Sequence, residues 1–439
     1  MGDGDQAPWK RLDPAAQGRF HALWWSDRAV LPEGDKSRPL IPCGNGRSDG
    51  DCCLAPGGTR LDTRGLDRLR HFDPVRGRIA CEAGTRLGDL LDFLVPRGWT
   101  LPVVPGCPAI TVGGAVAGDV HGTNHPTAGS FGNWVRQLEL VRSDQRRWFC
   151  SAFENPDLFR ATVGGLGLTG LILWADLELK PVRSPFLTRE TLGCAGLAAC
   201  LGLIREGGES WEYQQALVDV TARGRRLGRG LLTRANHTGP GRHPPPPPSR
   251  EPLPRATVTP RFSLVQPWSG RLHFLLQHRP QPAGSVHYRS FFFAPEVWEY
   301  GPLRYDPQGF LHYHCLLPEA TAEAGLGEVL ERLAVSGRTA GPGRLGPFGA
   351  NRTGGLLAFA RPGFGLAVDL PNRGRATLDL LAELDRVVLA AGGVVEPSRD
   401  RQLDPSRFAA FFPGWETLLP YRDPAFASAF WRRVTGESS

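Results

Sequence analysis

The sequence predicts a protein that mixes β-strands with α-helices in two or three domains. Its 439 residues exceed the usual size of a single domain, which is about 100–200 residues. Short apolar runs alternate with segments whose leucines recur at helical spacing, and glycine clusters separate the two. Apolar residues make up 41% and charged residues 22% of the chain, which is the composition of a folded protein and not of a disordered one.

The N-terminal half carries the clearest signals for individual elements. Strands are predicted where apolar residues alternate or run together, and helices where they recur every three or four positions. Gly98 ends the first helix as its C-cap, while Asn155 and Pro156 supply the N-cap and first position of the second. The predicted elements are strands at 78–83, 134–142 and 171–179 and helices at 87–97 and 155–162.

A new section begins after residue 185. Candidate strands occupy 270–277 and 309–317, and a short aromatic-rich helix occupies 424–434. The segments 319–336 and 376–391 read as amphipathic helices, whose leucine stripes indicate core packing and carry no functional information. The proline-rich stretch 239–254 cannot pair in a sheet, so we expect an exposed loop there.

Composition and charge exclude several classes of protein. No apolar run reaches the roughly 18 residues of a transmembrane helix, and the polar N-terminus shows no secretory signal. Nine cysteines without framework spacing, two of them adjacent at Cys52 and Cys53, favour reduced thiols and a cytoplasmic location, with peripheral membrane association left open. The net charge of +7 comes from scattered arginines without a groove-reading motif, so no nucleic-acid partner is expected.

Lysine occurs only at Lys10, Lys36 and Lys180, so almost no side chain can act as a lysine base.

The first segment that could carry chemistry is the glycine-rich stretch 44–51, directly after a predicted strand. Glycines let the backbone approach a ligand closely, successive N–H groups in such a turn bind anions, and Arg47 and Ser48 add donors suited to a pyrophosphate. The spacing is not the Rossmann pattern. A plain tight turn explains the stretch about equally well.

The second segment, 111–125, has glycine or another small residue at most positions, which fits a backbone packed against a flat, bulky ligand. His121 lies between small neighbours, where its imidazole could face that ligand. His121 and His125 are four residues apart, but without carboxylate or thiol company they are a weak metal signal, and we expect no metal. A third glycine-rich turn at 161–170 completes the set. Three such turns around one sheet indicate a large nucleotide cofactor held by backbone atoms.

These motifs resemble the PCMH-type FAD-linked oxidases of the vanillyl-alcohol-oxidase superfamily, and within them the decaprenylphosphoryl-β-D-ribose oxidases and their bacterial relatives. The resemblance covers most of the chain. It is strongest at GNGRSDGD (44–51), TVGGAVAGDVHGTNHPTAGSFG (111–132) and ATVGGLGLTG (161–170), and it continues through GFLHYHCLLP (309–318), FGLAVDLP (364–371), LDRVVLAAGG (384–393) and the DPAF tail.

The resemblance implies an α+β fold: a two-lobed FAD-binding domain at 1–185, an α+β substrate domain with an antiparallel sheet at 186–393, and a C-terminal segment at 394–439 that returns to the flavin. It also implies the FAD contacts. They are Pro42, Cys43, Gly44, Asn45, Gly46, Arg47, Ser48, Asp49, Gly50, Asp51, Cys52, Gly106, Thr111, Val112, Gly113, Gly114, Gly118, Asp119, Val120, His121, Ile172 and Glu396.

The attachment of the flavin is expected to be non-covalent. In many relatives a histidine of the first glycine loop is bonded to the flavin, and Arg47 stands at that position here. Cys107 is similar to a cysteine that other relatives use, but its spacing to Val112 and Gly113 is too long, which favours an ordinary thiol.

The chemistry of the family is hydride transfer from a carbinol carbon to flavin N5, with a base that accepts the hydroxyl proton. The substrate wall of this chain departs from that of its relatives. The expected lysine is Arg399, which is a poor base, and a tyrosine three residues earlier is Glu396. Further replacements place Asp49 and Phe292 where relatives have tyrosines, His312 and His314 for a glutamine pair, Gly346 for a lysine and Ala367 for a cysteine.

Two functions remain open from the sequence. One is an FAD-dependent oxidoreductase that oxidises a secondary alcohol of a sugar-like small molecule, with His121 facing the flavin and Arg399, Glu396, His312 and His314 forming the substrate wall. Its electron acceptor, oxygen or a quinone, is not determined. The other is a degraded FAD-binding homologue without turnover, and a sugar-binding module without flavin is a distant third.

Overall fold

The computed structural model describes residues 18–239, 283–293, 309–338, 341–351 and 354–437. Up to residue 185 the strands are β1 (Arg19–Ala22), β2 (Leu40–Cys43), β3 (Thr59–Asp62), β4 (Leu69–Asp73), β5 (Arg78–Glu82), β6 (Trp99–Thr100), β7 (Val135–Val141), β8 (Arg147–Ser151), β9 (Leu171–Glu178) and β10 (Lys180–Pro181). The helices of this part are α1 (Leu87–Leu94), α2 (Val112–Ala117), α3 (His125–Ala128) and α4 (Pro156–Thr162).

A small parallel sheet of order β1-β3-β2 holds the first glycine segment. Leu40 and Ile41 of β2 are fully buried, as expected for a short apolar run in a parallel sheet. Leu40 packs with Leu61 and Phe426 in one cluster, and its N–H donates to the Ala425 carbonyl at 2.8 Å. The C-terminal part of the chain is thereby fastened beside the loop that follows β2.

A second sheet, antiparallel and of order β4-β5-β9-β7-β8, forms the other lobe. Its strands β5, β7 and β9 confirm the three strands predicted in this half. Helix α1 buries Leu87, Leu90, Leu91 and Leu94, and a 3-10 turn extends it to Arg97. Gly98 ends this turn in the left-handed region at φ 81°, which confirms the predicted C-cap.

The start of α4 differs from the prediction in one detail. Pro156 is the first helical residue as expected, but Asn155 has φ 48° and makes no side-chain capping bond. Its Nδ2 instead donates to the Phe149 carbonyl of β8 at 2.7 Å, which fastens the turn between β8 and α4.

An eight-stranded antiparallel sheet dominates the second half, in the order β14-β11-β13-β12-β16-β17-β15-β18. Its strands are β11 (Phe186–Cys194), β12 (Tyr213–Val218), β13 (Gly230–His237), β14 (Gly284–His287), β15 (Phe310–Leu317), β16 (Gly343–Phe348), β17 (Gly363–Pro371) and β18 (Val394–Val395). The helices are α5 (Leu197–Gly207), α6 (Tyr288–Phe292), α7 (Ala322–Ser336), α8 (Arg375–Ala390), α9 (Pro405–Phe411) and α10 (Ala429–Thr435). This architecture is the expected α+β fold.

Helices α5, α7 and α8 cover one face of the large sheet, and their leucines form the main core with the sheet residues of that face. Successive side chains of a strand point to opposite faces. In β15, Tyr313 and Cys315 therefore belong to the core, whereas His312 and His314 lie on the opposite face. That open face carries the polar groups described below.

The remaining element predictions have mixed outcomes. Strand 309–317 and the helices at 319–336 and 376–391 are confirmed as β15, α7 and α8. The helix predicted at 424–434 forms only in its second half. It begins at Ala429, after Ser428 as its N-cap. Strand 270–277 and all but the first residue of the 239–254 loop lie outside the described residues.

Two global properties follow from the described parts of the chain. All nine cysteines lie in them and are free thiols. None of the helices described here combines the length and apolar character needed to cross a membrane.

Candidate active site

The first glycine loop, 44–51, leaves β2 and packs directly on the second glycine segment. A Cβ atom on Gly44 would lie 2.3 Å from Thr111 Oγ1, so no larger residue fits there without movement. Gly46 has φ 57°, which favours glycine. Within the described residues, the amide N–H groups of Asn45, Ser48 and Asp49 donate to no protein acceptor. A loop whose backbone N–H groups have no protein acceptor is suited to binding a pyrophosphate.

The second segment begins with Thr111, whose Oγ1 accepts from the Gly114 N–H at 3.3 Å and caps α2. Gly113 faces Ala83 of the second sheet, where an added Cβ would lie 2.9 Å from the Ala83 Cβ. Val112 is fully buried beside it. These contacts fix α2 between the two lobes, next to the first loop.

The chain after α2 turns back sharply. Gly118 caps the helix, and Asp119 has φ 42° and accepts from the Gly132 N–H at 2.9 Å. The Val120 carbonyl accepts from the Phe131 N–H at 2.8 Å, and His121 forms a β-bridge with Ser130. This double fastening holds the backbone of His121 in place.

The third glycine segment closes the arrangement. The Gly164 and Leu166 N–H groups donate to the carbonyls of α2 at Val116 and Ala117. Gly167, at φ 77°, lies against Pro42 of β2. The three glycine turns predicted from the sequence therefore meet around one centre, and the donor set fits a large nucleotide cofactor.

Other residues predicted to bind the cofactor are distributed around this centre. Cys43 Sγ accepts from the buried Arg60 guanidinium at 3.1 Å, and Gly50 N–H donates to the Ser398 carbonyl at 3.2 Å. Ile172 is buried in β9. Gly106 is partly buried between β6 and α2. Asp51 forms an ion pair with Arg433, and Cys52 Sγ lies 3.7 Å from the Ser398 carbonyl oxygen.

A network centred on Glu396 brings three of the predicted wall residues, Glu396, His314 and Arg399, together with His121. Glu396 Oε2 lies 2.6 Å from His314 Nδ1 and 2.7 Å from Arg399 Nε, and it is 4.0 Å from His121 Nε2. Oε1 accepts from Ser398 Oγ at 2.7 Å. Arg399 also donates from Nη1 to Asp49 Oδ2 at 2.7 Å, which ties the C-terminal segment to the first glycine loop.

The electrostatics of this network fix its protonation. Burial alone would raise the pKa of the Glu396 carboxyl, but the Arg399 guanidinium and the two imidazoles hold that pKa well below its usual range. Burial lowers the pKa of His314 to about 3. Because an ionised carboxylate only accepts, His314 donates from Nδ1 and keeps its lone pair on Nε2. Glu396 and Asp49 outweigh burial at Arg399 and raise its pKa, so Arg399 stays charged.

A second carboxylate–imidazole pair lies beside the first. The sheet register places His312 opposite Asp369 of β17, and Nδ1 lies 2.5 Å from Asp369 Oδ1. The imidazoles of His312 and His314 have their centroids 6.5 Å apart. Burial opposes ionisation of Asp369, yet His312 and Arg344 lower its pKa overall.

The floor between these pairs is built from small residues. Gly346 of β16 pairs with Gly365 of β17, and Ala367 follows two positions on. A Cβ on Gly365 would lie 2.5 Å from the Phe348 ring and 3.1 Å from His314 Nε2, so only glycine lets both rings pack this closely on β17. Phe348 packs on His121 with ring centroids 4.8 Å apart, and Phe359 lies 4.8 Å from His314.

Two groups that contain histidines have ligand atoms already bonded to protein partners. His121, His314 and Glu396 offer ligand atoms within 4.8 Å of one another, but both carboxylate oxygens already accept protein donors, one of them a guanidinium. His125 is structural, since Nδ1 accepts from the Gly349 N–H at 3.1 Å and burial lowers its pKa to about 3. These partners favour hydrogen-bonding and structural roles over metal coordination at both places.

Two residues of the candidate site were not predicted from the sequence. Arg344 was not singled out, although alternation in β16 puts it on the same face as Gly346 and Phe348. Ser398 was also missed. Phe292, noted as a replacement, instead packs on Tyr213 with centroids 5.2 Å apart, away from the Glu396 network.

Comparisons with known proteins agree with this geometry. A family described as "FAD binding domain" matches residues 33–151. A Streptomyces coelicolor chain named "Uncharacterized protein in mprA 5'region" is 34% identical, covering 79% of this chain and 98% of that protein. Decaprenylphosphoryl-β-D-ribose oxidase of Mycolicibacterium smegmatis is 29% identical and covers 93% of this chain and 92% of its own. D-Arabinono-1,4-lactone oxidase of Candida glabrata is 24% identical over 36% of this chain and 30% of its own.

Proposed function

The chain belongs to the PCMH-type FAD-linked oxidoreductases of the vanillyl-alcohol-oxidase superfamily, and from that premise we propose that it oxidises a secondary alcohol of a sugar or sugar-like substrate. Two of the similar proteins carry sugar-derived substrates in their names, a ribose and an arabinonolactone. The observation that carries the proposal is the Glu396 network, which sets a neutral imidazole on a buried carboxylate at the edge of the FAD loops.

FAD is the cofactor, and its flavin supplies the acceptor for the hydride that leaves the substrate carbon. The three glycine turns would hold its phosphates and flavin through backbone contacts. Since Arg47 replaces the histidine that is bonded to flavin in many relatives, we propose that the attachment is non-covalent.

We assign the base to His314. Its Nδ1–H donates to Glu396, which leaves the Nε2 lone pair over Gly365. When Nε2 takes the hydroxyl proton, the imidazole becomes a cation, and the adjacent carboxylate stabilises it. Burial keeps this imidazole neutral at physiological pH, so its Nε2 lone pair is available to the hydroxyl proton, and the Glu396 carboxylate offsets part of the cost of the buried cation.

Arg399 has a different role in this scheme. A guanidinium does not lose its proton at physiological pH, so it cannot replace the lysine of the relatives as a base. It bridges Glu396 and Asp49 with two bonds of 2.7 Å. We propose that it holds the carboxylate in position and orients substrate oxygens.

The rest of the wall suits a polyhydroxylated ligand. Across the open face of β15–β17, Asp369 offers acceptors, Arg344 and Arg399 offer donors, and His312 offers Nε2. Gly346, Gly365 and Ala367 add no large side chain to this face. Hydroxyl groups both donate and accept, so a sugar ring can satisfy such a mixed surface.

The deciding experiment is anaerobic reduction of the purified holoprotein with a panel of sugars, sugar phosphates and polyols. We expect at least one to bleach the flavin absorbance, and reoxidation by oxygen or a quinone then identifies the acceptor. A flavin that remains oxidised with every compound would point to the degraded homologue, and a preparation without flavin would overturn both functions. The His121→Ala variant should impair flavin binding or reduction.

A further inference from the structure

A cavity connects the Glu396 network with polar groups on the helix side of the large sheet. It is lined from β15 by His312, Tyr313 and His314, from α8 by Leu381 and Asp385, and from the segment after β18 by Glu396, Arg399, Asp400, Arg401 and Gln402. The core side of β15 is otherwise apolar. Polar side chains that line a cavity in this apolar region indicate a functional role for the cavity.

Two buried polar atoms of this cavity make no hydrogen bond of normal geometry among the described residues. They are Asp385 Oδ1 and the Tyr313 hydroxyl, on side chains that are 0% and 6% exposed and that interact with each other. Leaving a buried polar atom unsatisfied costs about 1–3 kcal/mol. Atoms of this kind that line a cavity are usually satisfied by an ordered water molecule.

Charged and polar groups surround Asp385 on all sides. Its Oδ2 accepts from Arg407 Nη1 of α9 at 2.9 Å and from Gln402 Nε2 at 3.1 Å. Tyr313 faces it from β15, and Asp400 faces it from the segment after β18. Burial, followed by the charge of Asp400, raises the pKa of Asp385 to about 7, against the effect of Arg407. The group can therefore take up and lose a proton near neutral pH.

The active-site network itself offers no simple exit for a proton. His314 Nδ1 is bonded to Glu396, and both oxygens of Glu396 are occupied by donors. His314 is only 7% exposed and Glu396 11%. A proton taken from the substrate must nevertheless leave before the next turnover. The cavity is a path from these two residues to another titratable group.

We propose that Asp385 is a proton-relay residue, which receives the substrate-derived proton from the His314–Glu396 pair through water in this cavity and releases it to solvent past Gln402. The proposal rests on the proposed oxidation at His314. The step moves only protons. His314 Nε2 binds the hydroxyl proton to form the imidazolium, and the same proton then leaves Nε2 through water in the cavity to Asp385. His314 thereby returns to the neutral tautomer that donates from Nδ1 to Glu396.

The test compares Asp385→Asn with Asp404→Asn in the holoprotein. Both carboxylates bind Arg407, but Asp404 is outside the cavity and its side chain is 45% exposed. An asparagine at 404 still caps α9. We expect Asp385→Asn to slow turnover about 10- to 100-fold and to remove a rate transition near neutral pH. Asp404→Asn should keep both the rate and the transition.

A second readout does not depend on any substrate. Reducing the flavin photochemically changes the charge of the site, so the relay should change its protonation. The infrared difference spectrum should then contain a carboxylic-acid carbonyl band that Asp385→Asn removes and Asp404→Asn retains. Absence of this band from the natural protein, or its persistence in Asp385→Asn, overturns the relay even if no substrate is found.

Tyr313→Phe keeps the proposal testable if Asp385→Asn does not fold. The substitution removes only the hydroxyl group that lines the cavity, and it preserves the packing of the ring. We expect a smaller loss of turnover and a shifted carbonyl band. If the natural protein oxidises a sugar but both variants retain its pH profile and rate, the relay is wrong while the proposed function stands.

Discussion

Replacing Glu396 with glutamine isolates the charge at the centre of the site. The amide has the shape of the carboxylate, and its oxygen can still accept from His314 and Arg399 while its NH2 group faces Ser398. The protein should therefore fold. The 2.6 Å bond from neutral His314 becomes a neutral one, and the 2.7 Å bond from Arg399 keeps only the guanidinium charge, which costs about 1 kcal/mol each on typical values of about 1.5–3 and 0.5–1.5 kcal/mol.

The kinetic effect should be larger than this structural cost. Without the carboxylate, the imidazolium formed at His314 loses its counter-charge as the hydroxyl proton is transferred. General-base catalysis contributes about 10²–10⁴-fold, so flavin reduction should slow by about that factor, equivalent to roughly 3–5 kcal/mol. Anaerobic stopped-flow measurement of flavin bleaching at saturating substrate measures the rate directly.

The neighbouring pair supplies a matched control. Asp369→Asn makes the same change at His312, on the same strand. If His314 is the base and His312 binds substrate, Asp369→Asn should raise the substrate concentration for half-maximal reduction and leave the limiting rate within about tenfold. The opposite pattern, with the limiting rate lost in Asp369→Asn and kept in Glu396→Gln, would refute the assignment and move the base to His312.

Three further outcomes are expected. Gly44→Ala should abolish FAD binding, because its Cβ would lie 2.3 Å from Thr111 Oγ1, whereas Gly202→Ala, with nothing within 4 Å, should leave binding intact in a flavin titration. Acid precipitation of the holoprotein should release all flavin into the supernatant; flavin fluorescence on the pellet would instead indicate a covalent bond. The free energy of unfolding of Asp385→Asn relative to the natural protein should rise with pH between 3.8 and about 7, by up to about 4 kcal/mol. In that range the folded natural protein gives up a proton that it binds more tightly than the unfolded chain does, and chemical denaturation across pH measures the difference.

Much of the candidate cofactor site was predictable because its glycine turns are visible as local clusters in the sequence. The neighbours that make Gly44 and Gly113 necessary, Thr111 and Ala83, are distant along the chain, so those contacts were not predictable. The capping glycine at Gly98 and the long amphipathic helices follow from local rules. Asn155 was the exception, because its backbone has φ 48° and its side chain makes no capping bond.

The sequence by itself determined the α+β class, the FAD cofactor and the set of polar side chains available to the candidate site. Only the tertiary structure decided how those side chains pair. His314 lies 82 residues from Glu396, His312 lies 57 from Asp369, and Arg399 lies 350 from Asp49. The register of an antiparallel sheet and the return of the C-terminal segment set these partners, and a one-residue slip would send both imidazoles into the core. Burial then fixes which groups carry charge, since desolvation is a property of the packed molecule.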